Sequence, residues 1–235
     1  MKKTLTTLAF LLSLIPLFAQ YQMNSTDKAI QGLLGGLLFT LVALLLKFIA
    51  NKAKKKIHES RIDRIKKTIS EQDDTTQNIV VENKFSVELP SFLSPTRELG
   101  KASLQYYNSE VKFCVTVNDI QKSDFLASVE KMKKKPFFDK DKPLLDNMAM
   151  KSLYDTFGKE EVAISNWQET EINGNKAITL IAQIKWYHLK HETYYKFGFI
   201  ESKDRFYQII VWTIIDIASI FDNKMSEIIK SFKEL

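Results

Sequence analysis

A run of apolar residues between positions 29 and 50 constrains this 235-residue chain more than any other feature. Apart from Thr40, only Gln31 near its start and Lys47 near its end interrupt the run with polar side chains. About 21 residues in a helix reach roughly 31 Å, which is the thickness of the hydrocarbon core of a bilayer. A helix of that length in a soluble domain would carry a polar face. The sequence therefore predicts a transmembrane helix over residues 29–50.

Residues 1–19 have the order of regions that is typical of a secretory signal peptide. Lys2 and Lys3 precede an apolar stretch, Pro16 breaks it, and Ala19 has the small side chain expected before a cleavage site. Leu17 is larger than the residue usually found two positions earlier. An uncleaved first membrane helix is therefore the alternative interpretation. Cleavage would leave a single membrane span.

The net charge of +6 lies entirely in the first third of the chain. Residues 1–78 hold 12 Lys and Arg against 6 Asp and Glu, and subtracting these from the totals of 34 and 28 leaves 22 of each for residues 79–235. A basic charge across the folded domain would favour a nucleic-acid partner, and this distribution does not. The excess lies in a segment that we call the basic collar, whose cations are Lys52, Lys54, Lys55, Lys56, Arg61, Arg64, Lys66 and Lys67.

The position of the basic collar predicts both topology and a lipid partner. Loops rich in Lys and Arg stay in the cytoplasm, so the domain after residue 50 is expected on the cytoplasmic side of the inner (cytoplasmic) membrane. Cations next to a membrane helix also attract anionic headgroups, with about 1 kcal/mol for each cation. A solvated helix that continues out of the membrane is the alternative interpretation of this stretch, and a short coiled coil is a third. Residues 51–72 are expected to be helical, and Asp73–Asn78 to form a polar linker. The juxtamembrane segment thus spans residues 51–78.

Small residues recur along one side of the predicted membrane helix. Gly32, Gly36 and Thr40 are spaced by four positions, and small side chains on one helical face allow a second helix to approach closely. A homodimer through this face is one hypothesis. A membrane helix that simply contains glycine is the other.

Residues 79–235 are long enough for one folded domain with a single core. Alternating apolar residues and the turn pair Asn173-Gly174 predict hairpins, while two longer patterns and the closing segment predict helices. We expect an α+β domain, with a mainly antiparallel sheet of about six or seven strands flanked by helices. Gly158 is expected as a helix C-cap and Asp216 as an N-cap. The expected strands are Phe85–Leu89, Ser103–Asn108, Val111–Val117, Val162–Ile172, Ile178–Trp186, Thr193–Phe199 and Phe206–Ile214; the expected helices are Lys122–Lys135, Pro143–Phe157 and the segment that follows Asp216.

Several short segments of this domain resemble the PsbP-like family, which is named for an extrinsic subunit of photosystem II. The resembling segments are Phe85–Pro90, Ser103–Asn108, Ile172–Asn175, Arg205–Thr213 and Ser231–Leu235. The resemblance implies an antiparallel sheet flanked by helices and a role as a binding or assembly module. Secreted members are common in that family, so the resemblance also raises the alternative of an extracytoplasmic domain.

The chemistry of the residues indicates binding more than catalysis. The single Cys114 excludes an intramolecular disulfide, and the seven glycines form no phosphate-binding or dinucleotide motif. His188 and His191 are too few to form a structural metal site, so we expect no metal and no cofactor. A membrane-anchored module that engages a ligand or a protein partner is the leading hypothesis. An unrecognised enzyme with an aromatic-lined cleft is the alternative. Candidate binding residues are Trp186, Tyr195 and Trp212 in an aromatic cleft, and Lys133, Lys134 and Phe137 in a basic loop.

Overall fold

The computed structural model describes residues 25–71, 75–97, 101–133, 135, 138–158, 160, 162–186 and 192–235. The predicted signal peptide over residues 1–19 lies outside this part of the chain. The structure divides into two compact units, Met1–Ser60 and Arg61–Leu235. Each unit is described by itself below.

The first unit contains most of helix α1, which runs from Ser25 to Glu71 and continues into the second unit. Leu37, Phe39 and Phe48 are largely exposed within the first unit, as are the four lysines of the basic collar between positions 52 and 56. No helix in the described part of the chain is long and apolar enough to cross a membrane. The span over residues 29–50 stays a prediction.

The last turns of α1 belong to the second unit and pack into its core. Ile65 is buried, and Ile62 packs against the same apolar cluster. Arg64 and Lys67 remain exposed on this segment. The helix therefore ends as part of the folded domain, because its two isoleucines lie three positions apart and share one face.

A seven-stranded antiparallel sheet forms the centre of the second unit and confirms the predicted fold class. Its spatial order is β3-β4-β5-β9-β8-β7-β6. The Asn173-Gly174 turn joins β6 to β7, with both residues at positive φ, as the sequence predicts. The strand bounds are β3 Ser94–Pro95, β4 Leu104–Asn108, β5 Phe113–Gln121, β6 Val162–Ile172, β7 Asn175–Ile184, β8 Thr193–Glu201 and β9 Arg205–Ile214.

A separate three-stranded sheet consists of β1 (Thr76–Val81), β2 (Phe85–Pro90) and β10 (Lys233–Glu234). The strand predicted at Phe85–Leu89 therefore exists but does not join the main sheet. Residues 76–78, expected in the polar linker, are the first residues of β1. The polar side chains of residues 76–78 led to the prediction of a linker instead of a strand. Polar residues occur in β1 because every second position of the strand is solvent-exposed.

Three further helices flank the sheet: α2 (Lys122–Met132), α3 (Leu144–Phe157) and α4 (Ile215–Lys230). Gly158 caps α3 at positive φ, which glycine adopts without a steric cost. The prediction of Asp216 as an N-cap is wrong. Ile214 holds that position, and Asp216 lies in the first turn of α4, where a carboxylate still favours the helix dipole.

The main sheet has an apolar core on each side. On the α4 face, α4 and the end of α1 cover the odd-numbered residues of β9, such as Tyr207 and Ile209. On the α3 face, α2 and α3 contribute to the cluster that contains Phe206 and Phe197. Strand β9 is therefore apolar towards both layers, which is what its sequence predicts for a central strand.

Helix α4 approaches the sheet most closely at Gly198 of β8. A Cβ atom built on Gly198 would lie 2.5 Å from Cγ2 of Ile229, far inside a normal contact distance. The absence of a side chain at Gly198 thus sets the distance between α4 and the sheet. It also allows Ile229 to be buried.

Candidate functional site

The three predicted cleft aromatics lie in one cluster on the α3 face. Tyr195 and Trp212 face each other across paired strands, with ring centroids 6.3 Å apart. Phe157, the last residue of α3, contacts Tyr195 at 5.2 Å and Trp186 at 6.2 Å. Trp186 lies just beyond the end of β7 instead of within the strand as predicted. The aromatic cluster is therefore real, and Phe157 is the member that sequence reasoning missed.

Strand β9, which holds Trp212, also contributes to a partly exposed surface, which we call the open patch. It consists of Tyr107, Asn118, Gln208, Ile210 and Trp212, contributed by β4, β5 and β9. The strand register places all five side chains on the α3 face, since Tyr107 pairs with Cys114, Cys114 with Trp212, and Asn118 with Gln208. Every member except Gln208 is half-buried.

Gln208 is the buried polar centre of the open patch. Its Oε1 accepts a hydrogen bond of 2.9 Å from Nδ2 of Asn118. Its Nε2 is buried and has no acceptor among the described residues. Burying a hydrogen-bond donor without a partner costs about 1–3 kcal/mol of folding free energy. Binding of a group that accepts a hydrogen bond from Nε2 of Gln208 would recover part of that cost.

Cys114 lies next to the open patch but is not poised for nucleophilic chemistry. Burial raises the pKa of its thiol to about 12, against the smaller opposing effect of a hydrogen bond with Trp212. The reactive form of a cysteine is the thiolate, and this thiol is protonated at neutral pH. Burial also raises the pKa of Tyr195. The titratable groups beside the patch therefore stay neutral.

A charged network on the α4 face contains Tyr194, the chain neighbour of Tyr195 on β8. The Tyr194 hydroxyl donates to Oδ1 of Asp222 at 2.8 Å, and Nζ of Lys196 lies 2.8 Å from the same oxygen. Burial disfavours the Asp222 carboxylate, but hydrogen bonds from Lys196 and Tyr194 outweigh it and lower the pKa of Asp222. Adjacent strand positions point to opposite faces, which explains why Tyr194 and Tyr195 separate.

A second ion cluster joins the small sheet to the main one. Arg205 and Ser103 both donate to the nearly buried carboxylate of Asp119. Nζ of Lys84, from the turn between β1 and β2, lies 3.9 Å from that carboxylate. These contacts join two strands, a loop and a turn from distant parts of the sequence, and no sequence motif predicts them. We assign this cluster a structural role.

The remaining predicted site residues are dispersed. Lys133 is exposed at the end of α2, whereas Lys134 and Phe137 lie outside the described residues, as do His188 and His191. No group of three or more metal-ligating side chains occurs in the described ranges.

The predicted membrane-proximal residues all fall on α1. Among the collar residues, the exposed ones are Lys52, Lys54, Lys55, Lys56, Arg64 and Lys67, and the side chains of Arg61 and Lys66 are not among those described. Gly36 is exposed with open space around it, and the Thr40 hydroxyl donates to the Gly36 carbonyl at 2.7 Å. Gly32 lies on the same helix. The contact between Thr40 and Gly36 is internal to α1, so the predicted homodimer stays a prediction.

No family model and no curated protein matches the chain. Among solved structures, a cyanobacterial PsbP (CyanoP) from Synechocystis sp. PCC 6803 is 11% identical, with a TM-score of 0.49, covering 69% of this chain and 94% of that one. LpqN of Mycobacterium tuberculosis, described as involved in cell envelope biogenesis, is 11% identical, with a TM-score of 0.38, covering 69% and 92%. A protein of unknown function, PA94 from Pseudomonas aeruginosa, is 11% identical, with a TM-score of 0.36, covering 66% and 94%. At these identities and TM-scores the similarities carry no activity over to this chain, and its fold class rests on the strands and helices described above.

Proposed function

We propose that this chain is a membrane-anchored binding module of PsbP-like type, which engages a protein partner or ligand through the open patch near the membrane surface. One observation carries the proposal. Ile210 and Trp212, on a central strand of the sheet, stay half-exposed around the buried amide of Gln208, whose Nε2 has no acceptor among the described residues. Other residues of β9 are buried in the apolar clusters on both faces of the sheet, so this half-exposed region favours an additional covering group.

The composition of the open patch indicates what that group would be. Its five side chains carry no charge, and Tyr107 contacts Trp212 at 6.0 Å to form an aromatic rim. Tyrosine and tryptophan are enriched where binding energy concentrates in protein interfaces. A partner with an apolar or aromatic anchor and one hydrogen-bond acceptor fits the patch.

The anchoring part of the proposal rests on α1. The amino-acid sequence of residues 29–50 is a nearly uninterrupted apolar run, which predicts a membrane helix. In the first unit its large side chains, such as Leu44 and Phe48, are more than half exposed, which is favourable in lipid and costly in water. The basic collar follows directly and supplies cations for anionic headgroups. We propose a single membrane span with the domain on the cytoplasmic side.

The neutral thiol of Cys114 favours binding over turnover. An enzyme that used this thiol would need an adjacent base and a lowered pKa, whereas burial shifts the pKa in the opposite direction. The other polar members of the patch, Asn118 and Gln208, are amides with no acid–base chemistry near neutral pH. The patch can orient a ligand but lacks a group to activate one.

Site-specific photocrosslinking in intact cells tests the binding module. A photoreactive amino acid in place of Tyr107 should yield a defined adduct in the full-length chain, and the same amino acid in place of Val80 should not. Val80 is also exposed, but it lies on the small sheet. The Tyr107 adduct should weaken in an Ile210→Ser background. An adduct that is insensitive to Ile210→Ser, or no adduct at all, would contradict a role for the open patch.

Fractionation and a reporter fusion test the anchor and the topology separately. The full-length chain should sediment with membranes, and deletion of residues 29–50 should release it. A reporter at the C-terminus should be active only in a form that works in the cytoplasm. Activity of a periplasmic reporter would overturn the proposed orientation while leaving the binding site untouched.

A further inference from the structure

A groove of about 200 Å³ opens between helix α4 and strands β6 and β7, on the opposite side of the sheet from the open patch. We call it the edge groove. Its floor is apolar, whereas its rim carries amides, a hydroxyl and an ammonium group. The lining residues used below are Asn166, Gln168, Thr179, Ile181, Ile229 and Lys230.

A β-bulge in β6 shapes one wall of the edge groove. Ser165 pairs with Ile181 and Gln168 pairs with Thr179, so one extra residue is inserted between the two pairs. Asn166 accommodates this insertion at a φ of 52°, a left-handed conformation that asparagine tolerates better than most residues. Bulges re-aim side chains next to functional sites. Here the bulge brings two amides, from Asn166 and Gln168, to the rim.

The opposite wall is positively charged. Lys230, the last residue of α4, is exposed, and none of the described residues that line the groove is acidic. Lys196 also lines it, but its ammonium group is already bound by Asp222 and by the Ser226 hydroxyl, at 2.8 Å from each side chain. The ammonium group of Lys196 is therefore engaged within the wall of the groove. The ammonium group of Lys230 is the positive charge that a ligand can bind.

The apolar floor of the edge groove favours an organic anion over an inorganic one. Ile181 is half-buried and Ile229 is buried, so both offer apolar surface beneath the polar rim. An inorganic anion would leave this surface unused. An organic carboxylate places its charge at Lys230 and the amides and its apolar body over the isoleucines. The volume suits a ligand smaller than a drug-sized molecule.

From this arrangement we propose that the edge groove is a binding site for a small organic carboxylate. The carboxylate accepts hydrogen bonds from the Lys230 ammonium and from the side-chain amides of Asn166 and Gln168. The site is independent of the proposed function, because it shares no residue with the open patch.

Methyl NMR on the full-length chain in a neutral detergent tests the site with three probes. Benzoate carries a charge and a ring, benzamide is its neutral isostere, and inorganic phosphate has charge without an apolar body. Titration of benzoate at constant ionic strength should shift the methyl signals of Ile181 and Ile229 saturably. Ile164 points to the other face of the sheet, and its signal should not move. Benzamide and phosphate should each bind at least about tenfold more weakly than benzoate. Benzamide lacks the negative charge, and phosphate lacks the apolar ring.

Two matched variants locate the charge. Lys230→Gln should weaken benzoate binding about five- to tenfold, whereas Lys224→Gln, on the same helix but lining a different groove, should leave it unchanged. Lys230 is exposed, so its replacement is compatible with the fold. Equal shifts with benzoate and benzamide, no saturable shift with benzoate, or equal effects of the two lysine variants would each overturn the proposal.

Discussion

The two faces of the main sheet are covered in different ways. On the α4 face, one helix packs so closely that only glycine fits at position 198, and the charged groups Lys196 and Asp222 are paired. On the α3 face, helices cover Phe197 and Phe206 but leave Ile210 and Trp212 half-exposed. Each face retains one buried polar atom without a described partner, in Thr213 and Gln208 respectively. Only that of Gln208 adjoins exposed apolar surface. The comparison indicates that close packing on the α4 face stabilises the fold, whereas the α3 face leaves apolar surface uncovered.

The largest expected effect comes from Phe221 on α4. It is 1% exposed and contacts Phe113 at a centroid distance of 4.7 Å. Phe221→Ala should lower the free energy of unfolding by about 3–5 kcal/mol, because it removes a buried ring and leaves a cavity. Urea unfolding followed by circular dichroism measures the change. A loss below about 1 kcal/mol would break the assignment of stability to the α4 face.

The close approach at Gly198 gives the next effect. Gly198→Ala should cost about 1–3 kcal/mol, since the new methyl group overlaps Cγ2 of Ile229. In a background of Ile229→Ala, which removes that Cγ2, the same substitution should cost much less. The coupling energy of this double-mutant cycle is the decisive measurement. Additive effects would show that α4 shifts freely on the sheet.

Trp212 should affect stability less than Phe221 despite its larger ring. Because Trp212 is already half-exposed, Trp212→Ala should cost only about 1–2 kcal/mol. The same variant should abolish the photocrosslink from position 107. Unfolding curves and crosslinking yields, collected on the same preparations, separate the two roles. A stability loss as large as that of Phe221→Ala would place Trp212 in the structural core instead.

The smallest effect is the pH dependence of the Lys196–Asp222 pair. The folded state lowers the pKa of Asp222 from its ordinary 3.8. Its contribution to the free energy of unfolding is therefore present above that value and is lost as pH falls through the lower folded value. The Asp222 side chain is 46% exposed, so the contribution should stay below about 1 kcal/mol. Asp222→Asn should flatten the stability profile as pH falls below 3.8, and Glu227→Gln on the same helix should not.

The sequence predicted the elements whose pattern is local. Strands β6 and β9 and helix α3 lie within one residue of their predicted bounds, because apolar periodicity, the Asn173-Gly174 turn and the Gly158 cap act over short distances. The assignment of strands to sheets could not be read in this way. The small sheet joins β2 to β10, which lie more than a hundred positions apart, and no local pattern encodes such a pairing.

The candidate sites show the same division. The clustering of Tyr195 and Trp212 followed from their alternation on strands, and the register confirms it. The exposure of Ile210 could not be predicted, since an isoleucine in the middle of an apolar strand normally indicates the core. The edge groove depends on the bulge at Asn166, and an asparagine within a strand does not reveal its φ angle. The exposure of Ile210 and the shape of the edge groove are tertiary features, and only the structure reveals them.

The bulge in β6 also bears on solubility. Strand β6 has eleven residues and is paired on one side only, with β7. A long, flat edge of this kind invites pairing with another chain, and nature interrupts such edges with bulges and charges. The insertion at Asn166 and the exposed Glu169 and Glu171 supply both interruptions. The residue that shapes the edge groove therefore also protects the chain against edge-to-edge aggregation, so a deletion at position 166 would expose a regular strand to self-association.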